Sequence, residues 1–79
     1  MKVKFFAHLQ SHTQCVETEI PAPQDITQDA LWSELEARFP GIIRYKHHTR
    51  LARNFAYIDA SCVFKEGDEI ALIPPVSGG

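Results

Sequence analysis

The chain has 79 residues, 44% hydrophobic and 23% charged, which is the composition of one small folded domain with little surplus of buried surface. Eight Lys plus Arg against ten Asp plus Glu leave a formal charge of -2, so neither a nucleic-acid surface built on bulk charge nor an electrostatic membrane anchor is expected. The longest apolar runs, such as Ala71-Leu72-Ile73, fall far below the roughly 17 to 20 residues of a membrane span. Lys2 and Lys4 lead straight into His8, Gln10 and His12 with no continuous apolar core, so no signal peptide is read and a cytoplasmic location is expected.

Val3 and Phe5 alternate with Lys2 and Lys4, the pattern of a half-buried first strand, and Phe6 follows as cover for the second face. Leu9 to Gln14 is polar and reads as a loop. A second strand over 15–20 sets Val16, Thr18 and Ile20 against Glu17 and Glu19, with a hairpin as the simplest link and Pro21-Ala22-Pro23 as its end. Thr27 is placed to cap a helix, Asp29 suits its first turn, and Leu31, Leu35 and Phe39 recur every four residues with Trp32 widening the stripe. Glu34 and Arg38 are spaced to pair, and Pro40-Gly41 stops this main helix, predicted over about residues 28–39. From Ile42 to Arg50 the pattern fits a frayed helix, a loop or a strand equally well. Short extended pieces at Leu51–Asn54 and Ala56–Ile58 flank a turn near Asn54. Lys65-Glu66-Gly67-Asp68 is a turn signal, and Glu69-Ile70-Ala71-Leu72-Ile73 is a strong, central strand ended by Pro74-Pro75. The sum is an α+β domain with a mixed sheet and one main helix packed across one face.

The chain closes on Pro74-Pro75-Val76-Ser77-Gly78-Gly79. A loose terminus is the plain explanation, yet two final glycines arise by chance in only roughly 1 chain in 200. Gly78-Gly79 has no side chains, so it can thread a channel too narrow for any Cβ, and six extended residues reach at most about 20 Å. The reactive group such a tail offers is its carboxylate. Ionised, it is a poor electrophile and must be activated first, and the sequence has no phosphate-binding loop to do so. The tail therefore calls for a separate activating enzyme that consumes ATP, and no stably bound cofactor is expected on this chain.

The run from Gly67 to Gly79 closely resembles the C-terminal signature of the small, sulfur-carrying subunit of molybdopterin synthase, and Asn54, Tyr57-Ile58-Asp59 and Val3-Lys4-Phe5-Phe6-Ala7 also resemble that family. The resemblance implies a ubiquitin-like β-grasp fold over residues 1–79, with 74–79 as an extended, flexible tail. It implies that Gly79 is adenylated by a ubiquitin-activating-like adenylyltransferase and converted to a thiocarboxylate with sulfur from a persulfide-bearing donor protein. The tail, with Gly78 threading, would then enter the large subunit of molybdopterin synthase and give its sulfur to cyclic pyranopterin monophosphate, in an assembly resembling a heterotetramer. Pro74, Pro75, Val76 and Ser77, with Arg53 and Phe55, are the expected partner contacts. One departure stands out: the strand before Asn54 is usually apolar in the family, whereas here it reads Leu51-Ala52-Arg53. The same fold and Gly-Gly end also fit a carrier for thiamin thiazole or another thiocarboxylate pathway, a ubiquitin-like protein modifier, or a non-catalytic interaction module. Pro74-Pro75 favours molybdopterin synthase.

The remaining candidates weigh toward plain readings. Cys15 and Cys62 read as small hydrophobes, since neither has a local cationic pattern to activate a thiolate. His47-His48 lacks ligands at zinc spacing, so no metal site is expected and a surface or partner-facing position is. Lys46, His47, His48, Arg50 and Arg53 are candidates to attract an acidic partner. Phe5, Phe39, Phe55, Tyr57 and Phe64 are core candidates, and the sheet face opposite the helix is the expected interface, because one helix covers only one face.

Overall fold

The computed structural model describes residues 1–22, 24–59 and 61–74; Pro23, Ala60 and the tail positions Pro75, Val76, Ser77, Gly78 and Gly79 lie outside the described residues. Strand β1 (Lys2–Phe5) is followed by a short helix α1 (Leu9–Thr13) and strand β2 (Glu17–Glu19). The main helix α2 (Gln28–Arg38) leads into successive 3-10 turns over Pro40–His48, and the chain closes with β3 (Arg50–Arg53), β4 (Ala56–Tyr57) and β5 (Glu69–Ile73). The sheet order is β2-β1-β5-β3-β4, with β1 and β5 parallel and every other pair antiparallel. This mixed sheet with its helices on one face is the β-grasp arrangement.

Helix α2 forms where its spacing demands it. Thr27 Oγ1 accepts from the Ala30 N–H at 3.1 Å, and Leu31, Trp32 and Leu35 are buried against the sheet. Glu34 and Arg38 pair at 3.5 Å on the exposed side. Proline at 40 has no N–H to continue the α-helical ladder, so the chain tightens into 3-10 turns, in which the Ile42 N–H reaches the Phe39 carbonyl at 3.1 Å. This segment resolves the ambiguity of residues 42–50, and it buries Ile42.

Three expectations need correction. Leu9 to Gln14 is a helix rather than a loop: Leu9 and Thr13, one turn apart, are both buried, and Gln14 adopts a left-handed conformation (φ 59°) that ends it. The link between β1 and β2 therefore carries a helical turn, although the two strands pair antiparallel as a hairpin would. The second strand is shorter than 15–20, because Cys15 accepts a local bond from Thr13 and Val16 is exposed. Phe55 and Tyr57 are not core residues: they are 89% and 57% exposed, since Phe55 sits in the tight turn between β3 and β4 and Tyr57 lies on the two-residue edge strand. Phe5 and Phe64 are fully buried, and Phe39 packs edge-on to Phe5 with ring centres 5.4 Å apart.

Burial alternates along β1 and β5, whereas β3 buries both Leu51 and its neighbour Ala52. Val3, Phe5, Ile70, Leu72 and Leu51 share the face that α2 covers, with Val3 opposite Ile70 and Leu51 opposite Leu72. The other face carries Lys2, Lys4, Glu69, Ala71, Ile73, Arg50 and Tyr57, with Lys4 and Glu69 paired at 3.4 Å.

Candidate functional site

The tail is the sequence feature with chemistry, so its point of departure defines the site. Strand β5 is the middle of five and is held from both sides to its last residue: Phe5 stands beside Leu72, and Arg50 opposes Ile73. The Phe6 N–H donates to the Leu72 carbonyl at 3.3 Å, and Pro74, the last described residue, is buried. A segment leaving from Pro74 thus starts from a fixed root in the most constrained strand of the molecule. Because β1 and β5 run parallel, the exit of β1 into α1 lies at this root. Because β3 runs antiparallel to β5, so does the entry from the 3-10 segment into β3.

The opposite end of β5 is locked by a polar network. Gly67 has φ 91°, the left-handed value that a side chain resists, in the turn where the Asp68 N–H reaches the Lys65 carbonyl at 3.0 Å. Asp68 accepts from the Lys65 N–H at 2.9 Å and from Asn54 Nδ2 at 3.4 Å, and Asn54 Oδ1 accepts from the Glu69 N–H at 3.0 Å. Asn54 therefore staples the β3–β4 turn onto the start of β5. Asp59 works similarly in the next loop, accepting from Ser61 N–H and Oγ at 2.9 and 2.7 Å; the Ser61 hydroxyl is the main cause that holds its carboxyl below the usual range.

The other predicted contact residues separate. Arg53 is half-buried and its Nη1 donates to the Val63 carbonyl at 2.9 Å, so its charge serves a loop of this chain. Phe55 lies beyond Arg53, at the far end of β3 from Pro74, with φ 73°, a conformation bulky residues rarely hold. The structure thus does not bring Phe55 together with the tail root. Nearer the root, Arg50 stacks its guanidinium 3.9 Å above the centre of the exposed Tyr57 ring. Cys15 and Cys62 are free and half-buried, and the Cys62 thiol donates to the Val63 carbonyl at 3.5 Å.

Two features had no reading in the sequence. The amino group of Met1 is buried, donating to the Ile20 carbonyl at 2.6 Å and to Glu66 at 3.0 Å, with Glu19 at 3.1 Å. Glu66 also accepts from the Ala22 N–H at 3.2 Å. The second is a cluster at the root, where His8 and His12 pack on Tyr45 with ring centres 4.8 and 5.0 Å away. The helical spacing of Leu9 and Thr13 was the available signal for the second. Among the described residues no group of three or more His, Cys, Asp or Glu side chains is arranged to hold a metal ion.

Comparison with known proteins agrees with this geometry. Residues 3–79 match the model of the ThiS family. The chain is similar to the human molybdopterin synthase sulfur carrier subunit, with 37% identity over 100% of this chain and 93% of the relative. Among solved structures it is similar to SAMP1 from Haloferax volcanii, at 27% identity and a TM-score of 0.85, covering 99% of this chain and 97% of the other. It is also similar to a chain in the complex of subunits 1 and 2 of molybdopterin-converting factor from Helicobacter pylori, at 29% identity and a TM-score of 0.70, covering 99% and 96%.

Proposed function

The chain belongs to the ThiS family of β-grasp sulfur carriers, and from that premise we propose that it is the sulfur-carrier subunit of molybdopterin synthase. The observation that carries this reading is the Pro-Pro-Val-Ser-Gly-Gly end attached to the central strand β5, in a chain 37% identical to the human sulfur carrier subunit. The carboxylate of Gly79 attacks the α-phosphorus of ATP on an adenylyltransferase, and pyrophosphate leaves. The outer sulfur of the donor protein's persulfide then displaces AMP to give an acyl disulfide, and a thiol cleaves its S–S bond, leaving the thiocarboxylate on this chain and a disulfide on the donor. The tail delivers that sulfur to cyclic pyranopterin monophosphate inside the large subunit. Glycines at 78 and 79 let the last residues pass a channel too narrow for a Cβ.

The division of labour follows from what this chain possesses. It offers a held strand, a reach of about 17 Å beyond Pro74 for five extended residues, and a terminal carboxylate. The activating enzyme and the large subunit must each receive the same tail, so each docks close to its root, and the two complexes exclude one another. The exposed residues Phe6 and Tyr57 and the half-buried Ile73 lie at that end of the sheet, where an incoming partner would cover them. No helix among the described residues is long and apolar enough to cross a membrane.

Intact-mass analysis after incubation with the activating enzyme, ATP and a sulfur donor tests this reading. The expected product is the chain with one oxygen replaced by sulfur, competent to convert the pyranopterin precursor only when the large subunit is added. A chain recovered solely as a covalent adduct to lysines of other proteins would instead make it a modifier, and an unmodified chain would leave it an interaction module.

A further inference from the structure

All four histidines of this chain lie on two adjacent elements: His8 caps α1 and His12 sits in its last turn, while His47 and His48 end the 3-10 segment. They are brought together by topology, not by sequence. Helix α1 begins four residues after Phe5, which stands beside Leu72, and His48 precedes Arg50, which opposes Ile73, by two residues. The two pairs therefore flank the root of the tail.

All four imidazoles are exposed, and their charged neighbours are mostly cationic. His12 Nε2 meets the Tyr45 hydroxyl at 3.1 Å, His8 packs on the same ring, and the Arg44 guanidinium lies 5.8 Å from the centre of that ring. His47 borders a cleft with Lys46, Arg50, Asp29 and Asp59. Of the two acids there, Asp29 takes Lys46 at 3.4 Å, while Asp59 accepts from the neutral Ser61 hydroxyl and keeps its charge. Among the described residues no carboxylate pairs with Arg44, Arg50 or any histidine. Histidine is the side chain whose charge changes between about pH 5 and 8, and all four histidines of this chain lie at this one end.

Resting on the sulfur-carrier reading, we propose that this collar of His8, His12, His47 and His48 with Arg44 and Arg50 is a docking surface for an acidic rim on the large subunit, around the opening that admits the tail. Rim charges act chiefly on the rate of encounter and its salt dependence. The collar thus orients the tail toward the opening before any close contact forms, and more strongly as the pH falls.

The test is the association rate of the full-length carrier with the recombinant large subunit, measured at low and high salt between about pH 8 and pH 6. The wild-type rate at low salt is expected to rise about 10-fold on acidification and to lose most of that gain at high salt. In the fourfold variant His8→Gln, His12→Gln, His47→Gln, His48→Gln the gain should vanish; because the large subunit titrates equally in both experiments, the difference belongs to the collar. Arg44→Gln, a single exposed change, guards against misfolding of the fourfold variant and should lower both the rate and its salt slope at every pH. The same pH gain in the fourfold variant as in wild type, or an unchanged salt slope in Arg44→Gln, overturns the proposal. Single-turnover sulfur transfer at saturating large subunit should be unaffected by either variant, so failure of the collar leaves the carrier reading standing. Absence of any wild-type binding at either pH would overturn both.

Discussion

The two ends of the sheet treat charge in opposite ways. At the turn end, nearly every polar group is consumed within the chain: the Met1 amine by Ile20, Glu66 and Glu19, Asp68 by Lys65 and Asn54, and Glu69 by Lys4. At the root end, Arg44, Arg50 and the four histidines are exposed, with Arg50 stacked on the exposed Tyr57 ring. A small domain has little stability to spare, and the turn end is where its polar groups are committed to holding the fold. The root end leaves cations and aromatic surface uncommitted, which is what a surface that must release one partner and accept another requires. On the proposed reading, the contrast puts stability and function at opposite poles of one strand, β5.

If that separation holds, shortening the tail should abolish function without touching the fold. Removing Gly79 leaves Gly78 with a carboxylate that stops about 3.3 Å short, one extended residue. Since a misplacement of 1 Å can cost about 100-fold, sulfur transfer should fall by at least that factor, while thermal unfolding is unchanged. Cys15→Ser and Cys62→Ser, folded, should transfer sulfur nearly normally. Normal transfer by the shortened chain together with a dead cysteine variant would move the chemistry onto cysteine and dissolve the contrast.

Phe55 is the residue that strains the comparison, because it sits at the turn end yet is exposed and in a left-handed conformation. Phe55→Gly should raise stability by about 1 kcal/mol through relief of backbone strain. If Phe55 is a partner anchor, the same change should weaken binding of the large subunit by about 10-fold, the lower range of an aromatic contact at an interface centre. Raised stability with unaltered affinity would confine the interface to the root end and sharpen the division.

The smallest effect on function, and a clear one on stability, is expected at Glu66. The hydrogen bond from the Met1 ammonium, then that from the Ala22 N–H, then the ammonium charge hold the Glu66 carboxyl below the usual range. Its contribution is therefore present above the ordinary Glu range and lost as pH falls through the lowered value. For the Met1 amine, burial works downward but the hydrogen bonds and charges of Glu66 and Glu19 outweigh it and hold the group above its ordinary value. That contribution is present below the ordinary amino range and lost as pH rises through the raised value. Glu66→Gln should therefore lower Tm by several degrees near neutral pH, with the gap from wild type closing toward both acid and alkaline extremes. Sulfur transfer below the melting temperature should be unaffected. A gap independent of pH would mean that Glu66 acts by packing or uncharged hydrogen bonding alone.

Features that depend on near neighbours along the chain are legible in the residues themselves. The cap at Thr27, the Leu31–Leu35 spacing and the stop at Pro40 specify α2 within one residue, and Lys65 to Ile73 spells a turn and a central strand. The terminal motif is legible for the same reason, since the threading and activation proposed for it involve the last residues alone. A five-residue helix, by contrast, has too few positions for a period to declare itself, so α1 passed for a loop. Arg53 and Phe55 looked equivalent as exposed partner contacts, and only the fold showed that one is bonded to Val63 and the other is set at the end away from Pro74. The histidine collar was beyond reach for a physical reason. Its halves, some forty residues apart in sequence, lie at one end of the sheet because β1 pairs parallel and β3 antiparallel to β5, and which distant strands pair is chosen by the whole core rather than by any local segment.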